Sequence, residues 1–144
     1  MKYLLISIAF IMITSCTRQQ QSGMDIKADG TESTAIINDQ HYSNIPVNNF
    51  RISSCVVKGD QLEITITSGG CSGNDWQVAL VGNSMIAESY PPQRYAKISF
   101  TNTEDCFAYI SKKYSFDITP FRVSGMNTVI INLQGWNKQL VYAY

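Results

Sequence analysis

Short segments in which apolar and polar residues alternate dominate this chain from about residue 34 onward, and they restrict its fold most. The clearest is residues 61–67, where Leu62, Ile64 and Ile66 alternate with polar neighbours, as in a strand with one buried face. No window carries a helical stripe over three turns. The sequence therefore predicts an all-β domain, an antiparallel β-sandwich of about 7–8 strands of the immunoglobulin-like, Greek-key type. The predicted strands are residues 51–58, 61–67, 76–81, 94–101, 107–111, 114–118, 128–133 and 139–144.

The pair Gly59-Asp60 predicts a tight hairpin turn between the first two of these strands. That turn pairs Val57 with Leu62 and Cys55 with Ile64, which puts Cys55 on the apolar face as a small buried residue. Residues 134–137 predict a second hairpin loop before the last strand, which leaves an open edge that could accept another strand.

The first residues predict a lipid anchor rather than a folded element. An apolar run of about ten residues follows Lys2 and ends in Ile13-Thr14-Ser15-Cys16, which resembles a bacterial lipobox and is too short to span a bilayer. The predicted organisation is a lipoprotein signal peptide over residues 1–15, a flexible polar tether over 16–33 beginning at lipidated Cys16, and one domain over 34–144. The alternative is an ordinary secretory peptide that is cleaved elsewhere.

The charge of the chain excludes several kinds of partner. Removal of residues 1–15 takes away one basic residue, Lys2, and no acidic residue. The remaining chain has 10 basic and 11 acidic residues. Both signs are scattered. Nucleic acids and anionic lipid surfaces need clustered cations, so neither is an expected partner through protein charge.

Three cysteines remain after lipidation, in a compartment that favours disulfides. The hairpin register places Cys55 in the core and Cys71 beyond the end of its strand. The favoured bridge is therefore Cys71–Cys106, with Cys55–Cys71 and Cys55–Cys106 as the alternatives.

The chain offers little to an enzyme. A thiol or hydroxyl nucleophile needs a nearby base, and the one histidine, His41, lies in or near the tether. Zinc catalysis would need a larger set of histidines or cysteines. We therefore predict no catalytic residue, no cofactor and no metal ligand.

Two groups of residues are candidates for a ligand or partner surface. A Cys71–Cys106 bridge would bring the pair Glu104-Asp105 near Asn74-Asp75, where the oxygens could form a weak Ca²⁺ site or, less plausibly, an acid/base pair for glycoside hydrolysis. The favoured interpretation is turn hydrogen bonds and solvated loop carboxylates. Trp136, in a hairpin loop, is the better surface aromatic, whereas Trp76 alternates with Val78 and Leu80 and is expected to face inward.

Several motifs together resemble the small β-sandwich lipoproteins of the Bacteroidetes with a NigD-like C-terminal domain. The resemblance runs from Leu62 to the end of the chain. It implies a compact, disulfide-bearing, lipid-anchored sandwich with no settled biochemical activity. Asn74 and Phe107 depart from the family pattern, which has a charged residue or histidine at the first place and an acidic residue at the second. The motifs are Leu62-x-Ile64-x-Ile66, Gly69-Gly70-Cys71, Asp75-Trp76, Pro91-Pro92, Asp105-Cys106, Phe116-Asp117-Ile118-Thr119-Pro120-Phe121, Gly135 and Leu140-x-Tyr142-x-Tyr144.

The expected function is that of a non-enzymatic, lipid-anchored envelope protein with a structural or accessory role, acting through contacts with an envelope protein partner. The alternative is a small glycan- or peptide-binding module, resembling an inhibitor. The tether after Cys16 has no acidic run, and in bacteria of this type acidic residues there promote surface display. The expected location is therefore the periplasmic face of the outer membrane.

Overall fold

The structure is a computed structural model that describes residues 32–47 and 49–144. The predicted signal peptide, Cys16 and all of the predicted tether except its last two residues lie outside the described residues. Over the ranges described, no helix is long and apolar enough to cross a membrane. The elements are β1 Glu32–Thr34, β2 Ile36–Ile37, α1 Asp39–Asn44, β3 Phe50–Lys58, β4 Gln61–Gly70, β5 Gln77–Ala87, β6 Gln93–Thr101, β7 Ala108–Asp117, a 3-10 turn Thr119–Phe121, β8 Thr128–Leu133 and β9 Leu140–Ala143.

The strands form two sheets that pack face to face. The four-stranded sheet has the order β1-β7-β4-β3, and the five-stranded sheet has the order β2-β5-β6-β8-β9. Side chains from the inner faces fill one core, and each large apolar side chain buried there contributes about 1.5–3 kcal/mol. The predicted all-β sandwich is confirmed. The largest fully buried side chains include Trp76, Tyr142, Phe116, Phe121, Leu62, Ile64, Ile66 and Leu80.

The prediction that all strands are antiparallel is wrong, because three neighbouring pairs run parallel. These are β1 with β7, β2 with β5, and β6 with β8. After β6 the chain crosses to the four-stranded sheet for β7 and then returns as β8. Two crossings reverse the chain direction twice, so β8 runs in the same direction as β6.

The two shortest strands come from one extended segment near the start of the described chain. β1 pairs with β7 in one sheet, and β2, only one residue further on, pairs with β5 in the other. The residue between them, Ala35, is buried in the core. This segment closes one side of the sandwich, and its first residue, Glu32, lies two residues before the predicted start of the domain.

The predicted β3–β4 hairpin is confirmed in its register. Val57 pairs with Leu62 and Cys55 with Ile64, and a bulge between Ile52 and Ser54 shifts the register further from the turn. Cys55 is buried and makes no disulfide, as the register predicted.

Two predicted strands, 107–111 and 114–118, form the single strand β7. The predicted break between them, at Lys112-Lys113, is wrong. In the structure the Lys113 ammonium lies 2.8 Å from a Glu63 carboxylate oxygen, and Lys112 Nζ donates to Asn74 Oδ1 at 3.0 Å. Both charges are accommodated at the surface of a continuous strand.

The last strand, β9, is an edge strand of the five-stranded sheet, so the predicted open edge is confirmed. Its Tyr142 hydroxyl donates to Asp60 Oδ1 at 2.6 Å and accepts from Arg122 Nε at 2.8 Å. This network ties the C-terminal strand to the β3–β4 turn and to the residue after the 3-10 turn.

Candidate functional site

The disulfide joins the two loops at one end of the sandwich, which we call the disulfide end. Cys71 and Cys106 are bonded, with their Cα atoms 4.9 Å apart. Cys71 directly follows β4, and Cys106 lies two residues before β7. The favoured pairing is confirmed, and both alternatives that use Cys55 are wrong.

Glu104 organises the turn after Cys71. Its Oε2 accepts hydrogen bonds from the backbone N–H groups of Cys71, Ser72 and Gly73 at 2.7, 3.0 and 2.8 Å. Its Oε1 accepts from the Asn74 N–H and from the Ser72 hydroxyl, each at 3.0 Å. Successive N–H groups in a turn form a concave anion site, and here the anion belongs to the chain itself.

Gly70 permits this close approach. A Cβ atom at position 70 would lie 2.5 Å from Glu104 Oε2 and 3.1 Å from Trp76 Nε1. A side chain there would push the carboxylate out of the turn. Steric crowding therefore explains why the second residue of the Gly69-Gly70-Cys71 motif is glycine.

The hydrogen bonds to Glu104 predict a dependence of stability on pH. Partial desolvation raises the pKa of Glu104, but three backbone N–H groups and the Ser72 hydroxyl lower it by more, from 4.5 to about 2. A depressed pKa means that the carboxylate stabilises the fold above pH 4.5, and that this stability is lost as the pH falls towards 2. We expect Glu104→Gln to reduce this loss, measured as urea midpoints at a series of pH values. An unchanged pH profile in the variant would contradict this role.

The other three predicted polar residues are not gathered into a site. Asp75 and Asp105 are exposed and make no hydrogen bond or ion pair with another described residue, whereas Asn74 Oδ1 accepts from Lys112. Glu104 faces N–H donors, an environment that suits an anion rather than a cation. Within 32–47 and 49–144, no group of three or more His, Cys, Asp or Glu residues could hold a metal ion.

Aromatic rings, by contrast, are conspicuous at the disulfide end. Phe107 is fully exposed, at 101%, and Tyr109 is 84% exposed. Tyr109 also lines a cleft of about 500 Å³ with Phe50 and Thr67 among its other walls. We call Phe107 and Tyr109 the aromatic tip.

Trp136 lies in the β8–β9 loop, on a different part of the surface. Its ring is partly buried and packs against the core, and one edge of it lines a shallow groove with Tyr42 and Tyr95. The other aromatic prediction is confirmed, since Trp76 is buried in the core and its ring contacts that of Phe100 edge-on at 5.2 Å.

Sequence reasoning missed the aromatic tip and Tyr42. Tyr42 belongs to α1, which has six residues and is too short to show a helical stripe. One signal was present: residues 78–81 are apolar without alternation and all are buried, which indicates a strand covered on both faces. That pattern calls for a covering element, and α1 packs against β5.

The fold and these surfaces define a small two-sheet β domain, closed by a disulfide, with exposed aromatic rings at its disulfide end. No sequence-family model matches the chain, and no curated protein is significantly similar to it.

Solved structures share the fold. A NigD-like immunity protein from Bacteroides caccae has a TM-score of 0.56 at 10% identity, with 78% of this chain and 64% of that chain covered. A protein of unknown function, DUF1344, from Bacteroides vulgatus has a TM-score of 0.55 at 16% identity, with 78% and 56% covered. This chain thus spans less than two thirds of either structure. The predicted NigD-like resemblance is confirmed as a shared fold.

Proposed function

We propose that this protein is a lipid-anchored, non-enzymatic envelope protein that acts by binding another envelope protein through its disulfide end. The observation that carries the proposal is the aromatic tip. Phe107 and Tyr109 are almost completely exposed, although aromatic side chains gain more than most from burial. Aromatic residues are enriched in protein interfaces and dominate their binding energy.

The tip is held on a rigid support, which favours binding. The disulfide fixes Cys106 to Cys71, Glu104 fixes the facing turn through its hydrogen bonds, and Tyr109 is paired with Gly69 inside the four-stranded sheet. A surface that is already ordered loses less conformational entropy on association.

Several polar groups that a catalyst could use have structural partners instead. In the described ranges Glu63 lies 2.8 Å from both the Lys58 and Lys113 ammonium groups, and Asp60 accepts from Tyr142 and Arg122. The single histidine, His41, has its Nε2 3.2 Å from the Ser99 hydroxyl and makes no ion pair with a carboxylate in the part of the chain that the structure describes. Binding needs only an exposed surface. Catalysis would need several polar groups that converge on one point, and the groups named above are already engaged in these contacts.

Anchoring at Cys16 would place this surface near other envelope proteins. The lipobox-like Ile13-Thr14-Ser15-Cys16 supports triacylation at that cysteine, and more than one acyl chain gives stable membrane attachment. The absence of an acidic run after Cys16 in the sequence supports the periplasmic face of the outer membrane.

The test is site-specific photo-crosslinking in the native cells. With a photoreactive amino acid in place of Ser111, which lies two residues beyond Tyr109 on β7, we expect capture of one envelope protein. The double substitution Phe107→Ser with Tyr109→Ser should abolish that capture, because it removes the aromatic contacts without touching the core. Substitution of exposed residues costs within about 0.5 kcal/mol of stability, so the melting temperature should hardly change.

The matched control replaces two exposed apolar residues elsewhere, Val56→Ser with Val141→Ser. Capture that survives in this control and is lost in the tip variant supports the proposal. Equal capture by both variants, or none by the unmodified tip, would overturn it. Cys16→Ala is the anchoring control and should move the protein from the membrane fraction to the soluble one.

A further inference from the structure

A groove of about 320 Å³ crosses the outer face of the five-stranded sheet, between α1 and the β8–β9 loop. It is independent of the aromatic tip and shares no residue with it. Its volume is at the lower end of the range for small-molecule sites. The residues that matter here are Tyr42, Tyr95, Asn132, Trp136, Asn137 and Lys138.

One wall of the groove is Tyr42, and the fold holds it firmly. The Asp39 carboxylate at the start of α1 accepts from the Ser84 N–H at 2.8 Å. Lys97 Nζ donates to the Tyr42 carbonyl oxygen at 3.1 Å and lies 4.3 Å from the centre of the Tyr42 ring. These contacts fix the short helix across the sheet and thereby fix the ring.

The opposite wall is Trp136. Gly135 has a φ of +85°, a conformation that favours glycine, and the turn it makes lets the Trp136 N–H donate to the Leu133 carbonyl at 3.1 Å. The indole is partly buried against the core, so the loop presents it in one orientation. The Lys138 ammonium lies 5.7 Å from the centre of that ring.

The polar groups of the groove are amides and one cation. Asn137 offers a donor and an acceptor. Asn132 Nδ2 already donates to Gln93 Oε1 at 2.9 Å, so Asn132 offers its second N–H and its carbonyl oxygen. Donors and acceptors together are what sugar hydroxyls require. No aspartate or glutamate lines the groove, and Lys138 has no carboxylate partner among the residues that the structure describes. The site therefore has a positive charge without an anionic partner beside two aromatic walls.

We propose that this groove binds a saccharide that carries a carboxylate group. The apolar face of a sugar ring matches the faces of Tyr42 and Trp136, the hydroxyls match the amides, and the carboxylate matches Lys138. A purely apolar ligand would leave the amides unpaired, which costs affinity. A neutral sugar would give the Lys138 ammonium no anionic partner.

Two probes of the same linkage and size test the proposal, digalacturonic acid and the neutral α-1,4-galactobiose. The ¹⁵N-labelled full chain reports binding at its two indole N–H signals. Millimolar digalacturonic acid should shift the Trp136 signal and leave that of buried Trp76 in place. Galactobiose should bind roughly tenfold more weakly, because it lacks the charge-assisted hydrogen bond to Lys138.

Two variants separate the site from general charge effects. Lys138→Gln should weaken digalacturonic acid binding about tenfold, whereas Lys58→Gln, an exposed lysine at the distant β3–β4 turn, should leave it unchanged. Trp136→Phe keeps an aromatic ring in the loop and should weaken both sugars; because the reporting indole is gone in this variant, binding is read from the backbone N–H signals of Asn137 and Lys138. A third probe, triglutamate, tests for binding by charge alone.

The outcomes that overturn the proposal are clear. They are an unmoved Trp136 signal, equal binding of both sugars, equal loss in both lysine variants, or triglutamate that binds as well as digalacturonic acid. Crosslinking through the disulfide end is unaffected by any of these results, so the two proposals stand or fall separately.

Discussion

Trp76→Ala is expected to destabilise the protein by about 3–5 kcal/mol, the usual cost of removing a large buried aromatic side chain. Trp76 is only 1% exposed, and its ring contacts Phe100 at 5.2 Å. Its backbone N–H also donates to the Gly73 carbonyl at 3.3 Å, so the cavity would open directly beneath the disulfide end. Urea denaturation followed by tyrosine fluorescence measures the loss.

The second tryptophan is the matched control. Trp136 is partly exposed in the β8–β9 loop, so Trp136→Ala removes the same atoms from a site that is already in contact with water. The cost should be smaller by roughly 2 kcal/mol, in proportion to the smaller area buried. Equal losses in the two variants would show that the packing assigned to Trp76 is wrong.

Removal of the disulfide, by Cys71→Ser with Cys106→Ser, is expected to cost about 4 kcal/mol. The bond closes a loop with a sequence separation of 35 residues, and the chain-entropy estimate for such a loop is close to that value. Thermal unfolding with and without a reductant measures the effect, and the reductant should not affect the double variant.

Cys55→Ala is the control for loss of a sulfur atom without loss of a crosslink. Cys55 is a buried free thiol, so the variant should lose roughly 1 kcal/mol from a small cavity and keep its sensitivity to reductant. If Cys55→Ala also abolished that sensitivity, the assigned pairing would be incorrect.

Local patterns in the sequence were enough to predict the hairpin, the disulfide and the inward face of Trp76. The Gly59-Asp60 turn sets the pairing of Cys55 with Ile64. That pairing places Cys55 in the core, which favours Cys71–Cys106 over the two alternatives although the bridge joins residues 35 apart. Alternation with a period of two then assigns Trp76 to the core.

The parallel strand pairs could not be predicted in this way. β1 pairs Glu32 with Ser115, more than 80 residues away, and no local pattern in a strand of three residues indicates its partner. The continuity of β7 is likewise a tertiary feature, because the strand pairs along its whole length with β4 and Lys113 contacts Glu63 of that strand.

The candidate sites show the same difference between features that local sequence predicts and features that depend on tertiary contacts. Glu104, Asn74 and Trp136 were singled out by residue type, but Glu104 serves the chain's own N–H groups rather than a ligand. The wall formed by Tyr42 depends on a six-residue helix that packs across a sheet. Its placement is a tertiary contact, and composition alone does not reveal it.

The burial of Cys55 has a consequence for the chemical lifetime of the bridge. Thiol–disulfide exchange requires a thiolate that can reach a sulfur atom. Desolvation raises the pKa of Cys55 to about 12, so the thiol stays protonated at neutral pH, and the core shields it. Once the two sheets have closed, the only free thiol among the described cysteines is chemically silent, and the Cys71–Cys106 bond is protected from reshuffling by the same packing that stabilises the fold.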